Sequence, residues 1–296
     1  MLDYDAVKGF AFRKDPLSYG AKDAILYALA LGYGEDPLDE RQLRYVTEND
    51  QCVAPTMPVV FCHPGLWIKE PQLGLDWRKF VHMSQRLRLE APLATAGSIV
   101  SHTYNAVVAD RGEGRGAVIV QRREMSDAAS GQLVAVIEAT YLARGDGGFS
   151  AGGGQSDPLP DASAAAGAAA GPAVVLELET LPQAALLYRL SGDMNPLHSS
   201  PAAAKAAGFD RPILHGLCTF GVAARAVLAG FCDYDGGRLK DIQARFSAPV
   251  FPGETIRFAM TPGESGVVHF EASVPARDVT VLKDGLAIVK QVQGDV

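Results

Sequence analysis

Leu217-Cys218-Thr219-Phe220-Gly221-Val222-Ala223-Ala224-Arg225-Ala226-Val227-Leu228 reads as a helix of small and apolar residues that stops at Gly230. A helix almost without charge must be covered on nearly all sides, and Gly221, Ala223, Ala224, Ala226 and Ala229 let a sheet approach it closely. The chain beyond it supplies that cover. β-prone runs at Leu239–Phe246, Thr255–Met260, Val267–Val274 and Leu286–Val292 are separated by turn residues at Pro252-Gly253-Glu254, Pro262-Gly263 and Lys283-Asp284-Gly285. Ala173–Glu179, ahead of the helix, is also strand-like. The pattern predicts a curved antiparallel sheet wrapped around one central helix.

The first half of the chain repeats this order of elements with little residue identity. Ala24–Leu31 follows Asp23 and stops at Gly32, a buried helix with an acidic first turn. Ser98–Val108, Gly116–Arg122 and Gln132–Leu142 read as strands, with a turn at Asp127–Gly131 between the last two. From Gly145 to Ala173, Gly, Ala, Ser, Pro and Asp displace nearly every large apolar residue, so this stretch reads as a linker. The expected organisation is a unit over residues 1–149, a linker over 150–172 and a second unit over 173–296. Strands do not alternate with helices as parallel-sheet units require, so the class is α+β.

The 296 residues bury a sizeable core, and 48% hydrophobic with 21% charged residues describes a globular chain, too apolar for disorder. The longest uncharged stretches, Gln51–Ile68 and Ala91–Ala109, are broken by Pro, His, Ser and Thr, so no membrane span is expected. A net charge of −7 argues against a nucleic-acid surface. Cys52, Cys62, Cys218 and Cys232 form no C-x-x-C pair, and the Met1-Leu2-Asp3-Tyr4-Asp5 start lacks a basic, apolar signal. Reduced thiols in a cytoplasm are therefore expected.

The chemistry concentrates in Tyr188-Arg189-Leu190-Ser191-Gly192-Asp193-Met194-Asn195-Pro196-Leu197-His198. A carboxylate, an amide and an imidazole fall within six positions. In a continuous helix Asp193 and His198 would sit roughly 140° apart, at about 100° per residue. Pro196 disfavours helix at Asn195, so an ordered turn is expected to converge the side chains. Ser200-Pro201 then caps a short helix ending at Gly208. Pro212-Ile213-Leu214-His215-Gly216 leads into the buried helix, whose first N–H groups lack intrahelical acceptors. At Gly216 no side chain blocks approach, and the positive helix end favours an oxygen that gains negative charge.

Other readings compete. Asp193 and Asn195 are common turn-forming residues, His215 suits an interior or capping role, and Gly216 suits close packing. His63, His82, His102 and His269 are isolated, and no H-E-x-x-H or paired-cysteine motif appears, so no metal or other cofactor is expected. Arg144-Gly145-Asp146-Gly147-Gly148-Phe149 resembles a phosphate loop in composition alone, because it leads into the linker.

The Tyr-x-Leu-Ser-Gly-Asp-x-Asn-Pro-Leu-His string, His215-Gly216 and the Ala244–Glu254 run together closely resemble the MaoC-like, type-2 (R)-specific enoyl-CoA hydratases. The resemblance covers most of the chain. It implies a double hot-dog fold whose N-terminal repeat helps accommodate the acyl chain. It also implies reversible addition of water to a trans-2-enoyl-CoA, giving a (3R)-3-hydroxyacyl-CoA, without metal or redox cofactor, by a homodimer. On this sequence Asp193 and His198 match the catalytic pair, Asn195 a site-arranging residue, and Gly216 the backbone donor to the thioester oxygen. His82, Met83, Arg111 and Phe246 fall where the family contacts substrate. Many relatives have His-Gly where this chain has His82-Met83. The alternatives are a dehydratase acting on hydroxyacyl carrier protein or on specialised short-chain acyl-CoA, a thioesterase, and a noncatalytic acyl-thioester-binding module.

Overall fold

The computed structural model describes residues 1–160 and 171–291. Ten strands form one antiparallel sheet: β1 (Leu17–Tyr19), β2 (Phe80–Leu89), β3 (Gly97–Asp110), β4 (Ala117–Asp127), β5 (Leu133–Ala143), β6 (Val174–Glu179), β7 (Leu239–Phe246), β8 (Thr255–Pro262), β9 (Val267–Val274) and β10 (Val279–Val289). Their order is β1-β3-β4-β5-β2-β7-β10-β9-β8-β6. Read inward from either edge, each half runs first, third, fourth, fifth, second strand. The second strands of the two halves, β2 and β7, pair antiparallel at the centre, with Gln85 opposite Ala244 and Leu87 opposite Ile242. The repeat expected from the order of elements is thus present. Its two sheets are fused edge to edge, which leaves neither central strand with unpaired backbone.

Among the described residues, three α-helices lie in the first half, α1 (Tyr4–Lys8), α2 (Ala21–Ala30) and α3 (Glu40–Leu43), and three in the second, α4 (Ala184–Tyr188), α5 (Pro201–Ala206) and α6 (Gly216–Phe231). In α6, Leu217 through Leu228 are all buried. A methyl group on Gly230 would meet Met260, Val174 and Leu176, so the sheet approaches closely there. Gly221 plays a different part. A methyl group there would fall 2.6 Å from the Leu31 side chain, so this glycine admits the end of α2 instead. The charge within α6 crosses the same boundary. Arg225, fully buried, reaches the Leu31 carbonyl at 3.3 Å, Gln42 Oε1 at 3.0 Å and Glu35 at 2.5 Å. The two halves are therefore tied by helix packing as well as by the sheet.

The expected turn at Lys283-Asp284-Gly285 lies inside β10, as an irregularity that shifts register against both β7 and β9. Asp284 takes a positive φ of 53°, so the turn-forming residues bend a strand instead of reversing it. Of the expected strand Leu286–Val292, Val292 lies outside the described residues. β2 carried no expectation. Its Arg86 and Arg88 are exposed while Gln85 and Leu87 are buried, a half-polar alternation easily read as loop. Arg86 binds Asp241 of β7 through both Nε and Nη2, which clamps the central seam.

The early part of the expected linker is fixed to the first half. Asp110 accepts from the Gly148 and Ser150 amides, and Asp157 accepts from the Val108 amide, Lys8 and Tyr4. Residues 161–170 of that stretch lie outside the described residues. Among those described, no helix is long and apolar enough to cross a membrane.

Candidate active site

The chain between α4 and α6 is shaped by short polar side chains. A 3-10 turn over Arg189–Ser191 ends at Gly192, whose φ of 127° lies outside what other residues readily adopt. Asp193 Oδ1 then accepts from the Asn195 amide at 3.1 Å, and Asn195 Oδ1 accepts from the Leu197 amide at 3.1 Å. Pro196 opens a second 3-10 turn over Pro196–His198, and Ser200 caps α5. Asp193 and Asn195 thus do form turns, as their residue types allow. That turn geometry brings the side chains at 193 and 198 together.

Asp193, His198 and His215 each present an atom within 4.8 Å of the other two. His198 Nδ1 lies 2.9 Å from the Ile213 carbonyl, and His215 Nε2 lies 3.1 Å from the Asp193 carbonyl. A carbonyl only accepts, so each of those nitrogens carries the proton and the other ring nitrogen is bare in the neutral imidazole. Burial pushes the His198 imidazole below its ordinary value, and burial beside His198 pushes His215 down to about 4. Near neutral pH His198 therefore offers a bare Nε2. The two imidazoles stack with centroids 3.8 Å apart. His215 is 1% exposed and occupies the N-cap of α6, the interior and capping position that its sequence context suits.

Gly216 is the exposed first residue of α6, where backbone N–H groups have no intrahelical acceptor. A methyl group at Gly216 would lie 3.4 Å from the Phe246 ring. Phe246 in turn meets His82 edge-on at 5.0 Å, and His82 packs on Tyr141 at 4.9 Å. Burial and the neighbouring His63 push the His82 imidazole down to about 4. The strand β2 shifts register between His82 and Ser84, with Met83 as the extra residue, and this turns His82 to the same face as Gln85. Hence Gly216, Phe246 and His82 form one continuous wall. Arg111 stands apart, in the turn after β3, where its Nη1 donates to the Arg115 carbonyl.

His63 was unexpected at this site. Desolvation and the Arg123 charge push its imidazole down to about 4, against the opposing Asp193 charge. Arg123 is 3% exposed and holds the loop before His63 through the Val59 and Phe61 carbonyls. Neither residue sits in a motif. Only the pairing of β4 with its neighbours carries Arg123 to this loop.

Residues 17–145 match the family model described as MFE-2 hydratase 2 N-terminal domain, and residues 165–282 match the one described as MaoC like domain. The 3-hydroxyacyl-thioester dehydratase Y of Mycobacterium tuberculosis is 38% identical over 291 residues, spanning 92% of this chain and 97% of that protein. The chain belongs to the MaoC-like hydratase family. The peroxisomal enoyl-CoA hydratase 2 of Arabidopsis thaliana is 36% identical over 276 residues, covering 90% of this chain and 88% of its own. The crystal structure of a MaoC-like dehydratase from Phytophthora capsici superposes with a TM-score of 0.83 at 30% identity, covering 98% of this chain and all of that one. The fold is the double hot-dog of this family, with a curved antiparallel sheet and a central helix in each repeat.

Proposed function

We propose that this protein is a hydro-lyase that reversibly hydrates trans-2-enoyl-CoA to (3R)-3-hydroxyacyl-CoA. The observation that carries the reading is a carboxylate and a bare imidazole nitrogen, on Asp193 and His198, converging beside the first amide of α6. The two side chains hold one water. As its oxygen bonds to C3 of the enoyl chain, one of the pair takes a proton from the water, and the bare Nε2 of His198 suits that step. The C2–C3 π electrons move onto the thioester oxygen, where the Gly216 N–H stabilises the enolate. The pair then returns a proton to C2, so water is added with no net proton consumed.

Asn195 fixes the turn that aims this pair. His82, Met83 and Phe246 flank the thioester and the first acyl carbons, Arg111 serves the CoA phosphates, and residues 1–149 accommodate the acyl chain. A cytoplasmic homodimer completes the proposal. Four free cysteines accord with a reducing compartment, and Leu186, Leu190 and Met194, each 52–53% exposed, supply an apolar surface for a second copy. The test is turnover of crotonyl-, octenoyl- and decenoyl-CoA. Hydration removes the enoyl-thioester absorbance without releasing thiol, whereas free CoA would mark a thioesterase and no change a binding module.

A further inference from the structure

A water held by Asp193 and His198 meets two acceptors. The carboxylate only accepts, and His198 presents its bare Nε2 because the Nδ1–H is engaged by the Ile213 carbonyl. Both hydrogens of the water are thereby taken. One lone pair attacks C3, and the second needs a donor that the pair does not supply. The reverse reaction has the same need, since the hydroxyl oxygen gains negative charge as its bond to C3 breaks.

The loop that carries His63 is built to offer a donor. Buried Arg123 grips it through the Val59 and Phe61 carbonyls. Cys62 takes a φ of 48°, a left-handed conformation that costs a non-glycine residue energy and gathers at functional positions. His63 follows directly, and it is exposed. The Gly65 N–H donates to His63 Nδ1 at 3.2 Å, so in the neutral ring Nε2 carries the proton. Among the described residues, no acceptor meets that N–H.

This loop abuts the catalytic turn. A methyl group on Gly192 would lie 3.6 Å from the Val60 carbonyl, and Val60 and Phe61 line one cavity with Leu190, Ser191 and Gly192. Asp193 is the next residue, and its charge reaches the His63 ring. His63 in turn acts on His82, part of the wall that runs through Phe246 to Gly216. We propose that His63 is a third catalytic group, whose Nε2–H donates a hydrogen bond to the oxygen at C3, the attacking water in hydration and the departing hydroxyl in reverse. The ring keeps its proton throughout, and the proton lost by the water still goes to the pair. A rival donor is the Asn195 side-chain nitrogen, on the catalytic turn itself. The proposal rests on the hydratase reading for which oxygen lies there.

Binding reads this contact without turnover. In an Asp193→Asn background, calorimetry compares (3R)-3-hydroxybutyryl-CoA with butyryl-CoA. The hydroxyl ligand is expected to bind more tightly, and adding His63→Leu should cut that preference about three- to tenfold, the size of one hydrogen bond. His63→Gln, which keeps an N–H at similar reach, should restore most of it. With Asp193 intact, kcat for crotonyl-CoA hydration should fall about tenfold in His63→Leu, with KM within about threefold, and recover in His63→Gln. Thermal unfolding serves as the folding control. A preference unchanged by His63→Leu would overturn the proposal and leave the Asn195 nitrogen as the donor. No preference at the outset, or a kcat unmoved by His63→Leu, would overturn it as well, and a loss that His63→Gln fails to restore would mark the ring as packing alone. Failure of the parent protein to hydrate crotonyl-CoA would sink the hydratase reading alone, because the hydroxyl preference still reports the His63 contact.

Discussion

Asp193→Asn is the most discriminating substitution, because the structure separates what it keeps from what it removes. Asparagine retains an Oδ1 able to accept from the Asn195 amide, so the turn persists. The bond that orients His215 comes from the backbone carbonyl of residue 193 and is untouched. Only the negative charge and its capacity to hold a proton are lost. Positioned acid–base groups contribute about 10²- to 10⁴-fold, so kcat for crotonyl-CoA hydration should fall by roughly that factor, about 2.7 to 5.4 kcal/mol in the barrier. KM should move less than about tenfold, since the interaction is made chiefly in the transition state. The assay follows loss of the enoyl absorbance, with thermal unfolding as the folding control. A folded Asp193→Asn protein retaining kcat within about threefold of the parent would refute the assignment.

Three further outcomes follow from the geometry. The folded-state pKa values of His82 and His215 are depressed, both to about 4, so neutral imidazoles stabilise the fold fully above about 6.5. As pH falls from 6.5 towards 4 the unfolded chain binds protons that these residues refuse, and stability drops. Urea midpoints at pH 7.5, 6 and 5 should decline in that order, and His82→Phe should flatten the slope; an unchanged slope contradicts it. Gly216→Val directs methyl groups at the Phe246 ring and should raise KM for crotonyl-CoA at least tenfold, while Gly216→Ala, whose Cβ finds 3.4 Å of clearance, should cost much less. Arg225→Met removes a buried cation and leaves Gln42 Oε1 without that donor, costing about 3 kcal/mol in denaturant unfolding, whereas Glu35→Gln at the half-exposed partner should cost under about 1.

What was legible depended on sequence distance. The motif from Tyr188 to His198 could be read because Asp193, Asn195 and Pro196 shape their own turn within six residues. The central helix and the repeat could be read from apolar patterning and element order. Contacts between halves could not. That Gly221 faces Leu31 and that Arg225 pairs with Glu35 depend on residues some 190 positions apart. β2 escaped because its inward residues include Gln85, so the alternation lacks a clean apolar face. His63 and Arg123 had no motif around them, and strand pairing alone carries them to the site. Lys283-Asp284-Gly285 has turn chemistry, yet its flanking residues stay paired on both sides, so the same preferences yield a bulge.

The central claim is that one water is activated between Asp193 and His198 while the thioester oxygen faces the α6 amide. Hydration of crotonyl-CoA in deuterated water, analysed for chirality and for label at C2, tests it most directly. The account predicts (3R)-3-hydroxybutyryl-CoA carrying deuterium at C2 on one face only. Racemic product, label on both faces of C2, or release of free CoA without hydration would contradict it.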